Sequence, residues 1–225
     1  MKHKILLSGL AAIFVLHTAA ASAAKPSTDK EKFSYAMGFQ IGQGFKRDDL
    51  DVDIDSLSQA IKDVIGDKAP QLSIAEMRAA MEDAQTKLMA ARAAKGEKAK
   101  AAGKAFLAAN KKKKDVVSLP SGLQYKIISS GKGKQPTANS NITAHYKGKL
   151  IDGREFDSSY RRNQPATFNV SQVIQGWKEV LPLMHEGDKW QVFVPSELAY
   201  GENGRGNIIG PNETLIFEIE LQKVN

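Results

Sequence analysis

Leu215-Ile216-Phe217-Glu218-Ile219-Glu220-Leu221 decides the fold. Leu215, Phe217, Ile219 and Leu221 alternate with their neighbours, the mark of a strand with one face buried. Working back from it, Trp190, Val192 and Val194 alternate until Pro195 stops the pattern. Ile142, Ala144 and Tyr146 do the same, as do Leu123, Tyr125 and Ile127, and Asp152-Gly153 is a hairpin turn signal. Among these strands, Val173 to Leu183 reads as one short helix. An antiparallel sheet with a short helix against it makes residues 115–225 an α+β domain.

Upstream the period is helical. Phe33, Met37, Ile41 and Phe45 recur every fourth residue, with Tyr35 and Phe39 on a second flank. Gly38 and Gly42 share one face, which suits close approach of another helix. Asp53 is a candidate cap for a second helix carrying Ile54, Leu57, Ile61, Val64 and Ile65, and Gly66 ends it. Two short helices cannot enclose a core, so residues 25–72 are expected to pair two chains. Ser73 and Glu76 form a capping box that opens a long helix, read as a connecting spacer over residues 73–114. Some 40 residues at about 1.5 Å each would span about 60 Å. Beyond Leu88 its only apolar seam is alanine until Phe106 and Leu107, so it is expected to stand free, with Gly96 and Gly103 as flexing points.

Composition narrows the chemistry. The 225 residues contain no cysteine, which excludes disulfides, thiolate metal sites and cysteine nucleophiles. Four histidines include His3 and His17 near the start, leaving His145 and His185, a poor metal set. No metal and no cofactor is expected. Net charge is +7, but residues 87–114 alone carry 10 basic and 1 acidic residues. That run reads as a solvated helix rather than a nucleic-acid surface. Contact of Lys111 to Lys114 with anionic lipid is the less favoured alternative. Lys2 and Lys4, an apolar run from Ile5 to Leu16 and the small residues Ala21-Ser22-Ala23 form a secretory leader over residues 1–24. The chain is therefore expected to be exported, to the periplasm first, with the outer membrane or cell surface as alternatives.

Several phrases in the last domain together resemble the FKBP-type peptidyl-prolyl cis-trans isomerases. They are Ser121-Gly122-Leu123-Gln124-Tyr125, His145-Tyr146-Lys147-Gly148, Gly153 to Ser159, Val173-Ile174-Gln175-Gly176-Trp177, Ala199-Tyr200-Gly201 and Ile209 to Phe217. The upstream helices resemble the exported two-domain bacterial subgroup, the macrophage infectivity potentiator (Mip) and FkpA proteins. The resemblance implies an antiparallel half-barrel wrapped on a short helix, with the site between them, and dimerisation through the N-terminal helices. Carried onto this chain, it implies a substrate pocket of Tyr146, Phe156, Val173, Trp177, Ile209 and Phe217. Asp157, Tyr200 and the Ile174 N–H would be its polar groups, with Arg162 holding the loop that carries Asp157. Ala166 and Arg205 depart from single-domain members, which often have an aromatic and a histidine there. The implied partners are proline-containing or unfolded exported proteins, macrolide inhibitors and a second copy of the chain.

The implied reaction needs neither nucleophile nor metal. An X–Pro amide rotates over a barrier near 18–20 kcal/mol, between isomers close in energy. A site that binds the twisted amide better than the planar forms accelerates the exchange. The other reading is a holding chaperone whose isomerase-like domain only binds. Retention of Asp157, Trp177, Tyr200 and Phe217 together favours the enzyme.

Overall fold

A computed structural model describes residues 25–48 and 50–225; the leader read at residues 1–24 lies outside them. The chain divides into two compact units, breaking between Asp49 and Leu50. In the first, α1 (Asp29–Arg47) starts at Thr28, whose side chain caps Glu31 N while the Glu31 carboxylate accepts from Thr28 N. Phe33, Tyr35, Met37, Phe39 and Ile41 are all exposed, Phe33 by 66%. Among the described residues of this unit, no atom outside α1's own turns lies within 4 Å of where a side chain on Gly38 or Gly42 would begin.

The second unit opens with α2 (Ile54–Ile65), capped by Asp53, whose carboxylate accepts from Ser56 N at 2.7 Å. The 37-residue α3 (Ile74–Asn110) starts at the Ser73–Glu76 capping box. Seven strands follow: β1 (Val117–Ser118), β2 (Gln124–Ser129), β3 (Asn141–Leu150), β4 (Glu155–Ser158), β5 (Ala166–Asn169), β6 (Lys189–Val194) and β7 (Leu215–Val224). The sheet order is β1-β2-β6-β7-β3-β4, with β5 also pairing β3, and every pairing is antiparallel. The last strand is therefore central, pairing β3 on one side and β6 on the other. Its Leu215, Phe217, Ile219 and Leu221 are buried beside Ile142, Ala144, Tyr146 and Leu150 of β3. The six-residue helix α4 (Gln175–Val180) packs on that face through Trp177 and Val180.

The long helix corrects the expectation of a free-standing spacer. It ends at Asn110, and its buried positions are Gly96, Gly103 and Asn110, seven apart along one stripe. A side chain on Gly103 would begin 2.2 Å from Thr214 Oγ1, and one on Gly96 would begin 3.2 Å from Pro211 Cβ. These glycines are points of close approach to the α+β domain, not flexing points. Farther along, Phe106 meets Phe193 of β6 with ring centroids 5.9 Å apart. The buried Gln124 donates to Leu107 O at 2.9 Å and accepts from Asn110 Nδ2 at 3.0 Å. Periodicity missed this contact because the stripe is built of glycine and amide groups, which carry no hydrophobic signal.

Phe106→Ala should lower the stability of this unit by about 1–2 kcal/mol, less than a fully buried aromatic would lose. Urea unfolding followed by tryptophan fluorescence measures it. An unchanged midpoint would mean that α3 does not bear on the domain in solution.

Candidate functional site

The site is built on α4. A helix of six residues has no stability of its own, and tertiary contact holds it. Gly176 allows that contact, since a side chain there would begin 2.5 Å from Val194 Cγ1. The next residue, Trp177, is then pressed onto the sheet and is only 4% exposed. Three rings meet its indole edge to face: Tyr146 at 5.6 Å, Phe168 at 5.4 Å and Phe217 at 5.2 Å between centroids. Phe156 continues the set against Phe217 at 5.6 Å. Such perpendicular pairs suit the ring quadrupoles and add to the gain from burial. Gly148 completes the wall, because a side chain there would begin 2.5 Å from the Phe156 ring.

These rings surround one cavity of about 610 Å³. Tyr146, Phe156, Asp157, Val173, Ile174, Trp177, Tyr200, Ile209 and Phe217 all line it. Arg162 stands behind this lining and reaches it through Asp157. Sequence reasoning missed Phe168, Gln172 and the loop stretch Gly206 to Ile208 as lining residues. Phe168 was legible in principle, since it alternates with Ala166 along β5 and pairs with Ile142. The loop carried no periodic signal. Ala166 packs against the core and does not line the cavity. Arg205 does line it, with its guanidinium over the Tyr200 ring at 5.2 Å.

The polar end of the cavity is a closed network. Asp157 Oδ1 accepts from Arg162 Nη1 at 2.7 Å and from Ser158 N at 2.8 Å. Its other oxygen accepts from the Tyr146 hydroxyl, which itself accepts from Arg162 Nη2 at 3.0 Å. Ser159, fully buried, ties this turn to β3, accepting from Tyr146 N at 2.8 Å and donating to Tyr146 O at 3.1 Å. His145 Nδ1 lies 2.9 Å from the Ser159 hydroxyl on the outer side, and its ring stacks on Tyr160.

Burial alone would raise the Asp157 pKa. The Tyr146 and Arg162 hydrogen bonds, the guanidinium charge and the Ser158 N–H outweigh it and hold the carboxyl below its usual value. Burial, then the bond to Asp157, raises the Tyr146 phenol, which stays neutral and donating. At neutral pH Asp157 is therefore ionised, held by three hydrogen bonds and a poor proton acceptor. The Ile174 N–H, at the start of α4, has no acceptor among the described residues. Among those residues no group of three His, Cys, Asp or Glu side chains gathers as metal ligands.

Removing the guanidinium should release this carboxyl. Arg162→Ala should raise the Asp157 pKa, read by carboxyl carbon-13 chemical shifts during an acid titration. In the parent chain the stability from this pair is present above the unfolded pKa and is lost as pH falls through the depressed folded value. An unchanged titration in the variant would leave Arg162 without electrostatic influence on the site.

Comparison with known proteins places this geometry. Residues 132–222 match the family profile described as FKBP-type peptidyl-prolyl cis-trans isomerase, and residues 30–127 match the domain amino terminal to it. The outer membrane protein MIP of Legionella longbeachae is 44% identical over 100% of this chain and 98% of its own. The peptidyl-prolyl cis-trans isomerase Mip of Coxiella burnetii is 39% identical, covering 98% of each chain. The crystal structure of FkpA from Escherichia coli superposes with a TM-score of 0.65 at 32% identity, covering 88% of this chain and 97% of that one. With both domains matched and nearly the whole of two relatives aligned, the chain belongs to the FKBP-type peptidyl-prolyl cis-trans isomerases, enzymes that interconvert the cis and trans forms of X–Pro bonds.

Proposed function

We propose that catalysis takes place in the aromatic cavity over Trp177, and that the protein uses it on exported proteins as they fold. The observation that carries this is an apolar cavity whose single carboxylate, Asp157, already accepts three hydrogen bonds and pairs with Arg162. Such a site transfers no proton, and isomerisation asks for none. The prolyl ring rests on Trp177 between Tyr146, Phe156 and Phe217, with Val173 and Ile209 at the sides. As the amide twists, conjugation is lost and charge separation falls, so a dry box favours the twisted form over the planar ones. The Ile174 N–H donates to the substrate carbonyl flanking proline. The Tyr200 hydroxyl and the Asp157 dipole hold the turning amide, fixed charges that need no reorganisation during the step. Arg162 keeps Asp157 in place.

Asp157→Ala and Tyr200→Phe should each lower kcat/KM on a short X–Pro peptide about tenfold, equivalent to about 1.4 kcal/mol of lost differential binding. Circular dichroism should be retained, and a macrolide should inhibit the parent. Unchanged kinetics in both variants would move the polar groups elsewhere. Leu–Pro peptides should be preferred over Glu–Pro, because a carboxylate against Phe156, Ile209 and Phe217 is desolvated without a partner. Arg205→Ala should widen that preference by removing a cation at the mouth. Equal kcat/KM for the two peptides would refute the apolar rim.

The N-terminal helices pair two copies in this reading. The exposed row from Phe33 to Ile41 supports it, since each such side chain gains roughly 1.5–3 kcal/mol when fully buried. Gly38 and Gly42 leave room for a second helix. Two cavities on one dimer grip two points of an unfolded client, which raises effective concentration and adds a chaperone activity. The leader-like start and a relative named as an outer membrane protein support export, with the periplasm as the working compartment. Ile41→Glu in the mature chain should yield a monomer by sedimentation. It should keep peptide isomerase activity and lose suppression of aggregation. A monomeric parent would sink the dimer. A variant as protective as the parent would sink the two-site account.

A further inference from the structure

We infer that α3 is a working part of the active site: its face from Arg92 to Gly103 positions the loop that forms the mouth of the cavity. This rests on the cavity over Trp177 being the catalytic site. Residues 199–214 supply Tyr200, Arg205, Gly206, Asn207, Ile208 and Ile209 to its lining. The loop is long, and its internal order is one 3-10 turn at Gly201–Asn203 and a few backbone hydrogen bonds. Within it, Arg205 and Ile209 pair as one isolated bridge, and Asn212 N donates to Gly201 O at 2.8 Å. Its backbone depends on glycines such as Gly204, at φ +61°. A segment of this kind needs outside support to hold a substrate group in one place.

That support comes from α3. Arg92 Nη2 donates to Asn203 O at 2.7 Å. Among the described residues no other side-chain hydrogen bond joins residues 199–214 to the rest of the chain. One turn on, Gly96 meets Pro211 and Asn212, and two turns farther Gly103 meets Thr214, the residue before β7. The helix thus touches the loop on its outgoing limb, at its return and at its root, through loop residues that do not line the cavity. The Gln124, Leu107 and Asn110 bonds fix the register of α3 against β2, which lies in the same sheet as the strands that carry the aromatic walls. A polar helix is well suited to this role. It contacts the loop through close-packed backbone, the Arg92 guanidinium and the Lys95 stem beside Gly210, and sinks no side chain of its own into the cavity.

Arg92 is therefore a positioning residue, and α3 determines how firmly the mouth closes on residues flanking proline. Because the mouth stretch Gly206 to Ile208 would grip the residues flanking proline in planar and twisted forms alike, loosening it should raise KM more than it lowers kcat. The test uses the mature full-length chain carrying Arg92→Ala, Arg92→Lys or Gly103→Ala, the last a wedge against Thr214. Expected are a two- to tenfold rise in KM for Arg92→Ala, in the range of couplings carried through packed contacts, and recovery toward the parent in Arg92→Lys. Hydrogen exchange should quicken in residues 201–213 for Arg92→Ala and Gly103→Ala, while β3, β6 and β7 stay protected. Exchange reports on the brace whether or not the cavity assignment holds, whereas Asp157→Ala and Tyr200→Phe report on the cavity alone. Parent-like KM together with parent-like exchange in residues 201–213 of Arg92→Ala would overturn the inference. So would faster exchange spread evenly over the sheet, the mark of general destabilisation. If Gly103→Ala fails to fold, the two Arg92 variants decide.

Discussion

The burial of Trp177 is the contact on which the rest turns. Its indole is the floor of the cavity and the anchor of α4, a helix too short to persist without it. Gly176 lets the helix backbone come down onto Val194, and the indole then meets Tyr146, Phe168 and Phe217 edge on. The same rings are core on one side and site on the other. One large aromatic residue thus supplies apolar area that holds the domain together and part of the cavity lining.

The polar chemistry is subordinate to that box. Asp157 is held ionised by the neutral Tyr146 hydroxyl, by Arg162 and by the Ser158 N–H, and so is a poor base. The arrangement matches a reaction in which no bond breaks. In the mechanism proposed for the cavity, preorganisation is the task, and the network's hydrogen bonds keep its groups still. Ser159, buried and bonded to both the N–H and the C=O of Tyr146, extends that rigidity into β3.

The contact between α3 and the isomerase domain has a different physical basis. It is made by glycine, one guanidinium, an amide pair and a single aromatic contact, not by an apolar stripe. Close backbone approach gains dispersion and shape complementarity over a narrow strip. It leaves the remaining faces of the helix free to carry lysines. A helix that is polar on most sides can thus still be docked along one line.

How much of this was legible follows from which interactions are local. Alternation in Leu215 to Leu221 and in Ile142 to Tyr146 determined the strands, because a half-buried strand must present every second residue to the core. The Asp53 cap and the Ser73–Glu76 box determined where α2 and α3 begin, because a cap is satisfied within one turn. The phrases that resemble the isomerase family pointed to most of the cavity residues as a group. The sequence alone did not bring Phe168 to the indole, set Arg205 over Tyr200 or lay Gly96 and Gly103 against Pro211 and Thr214. Those contacts join residues far apart in the chain. Glycine, in particular, carries no side chain to advertise what it touches, so only the packed structure decides whether it bends a helix or seats it.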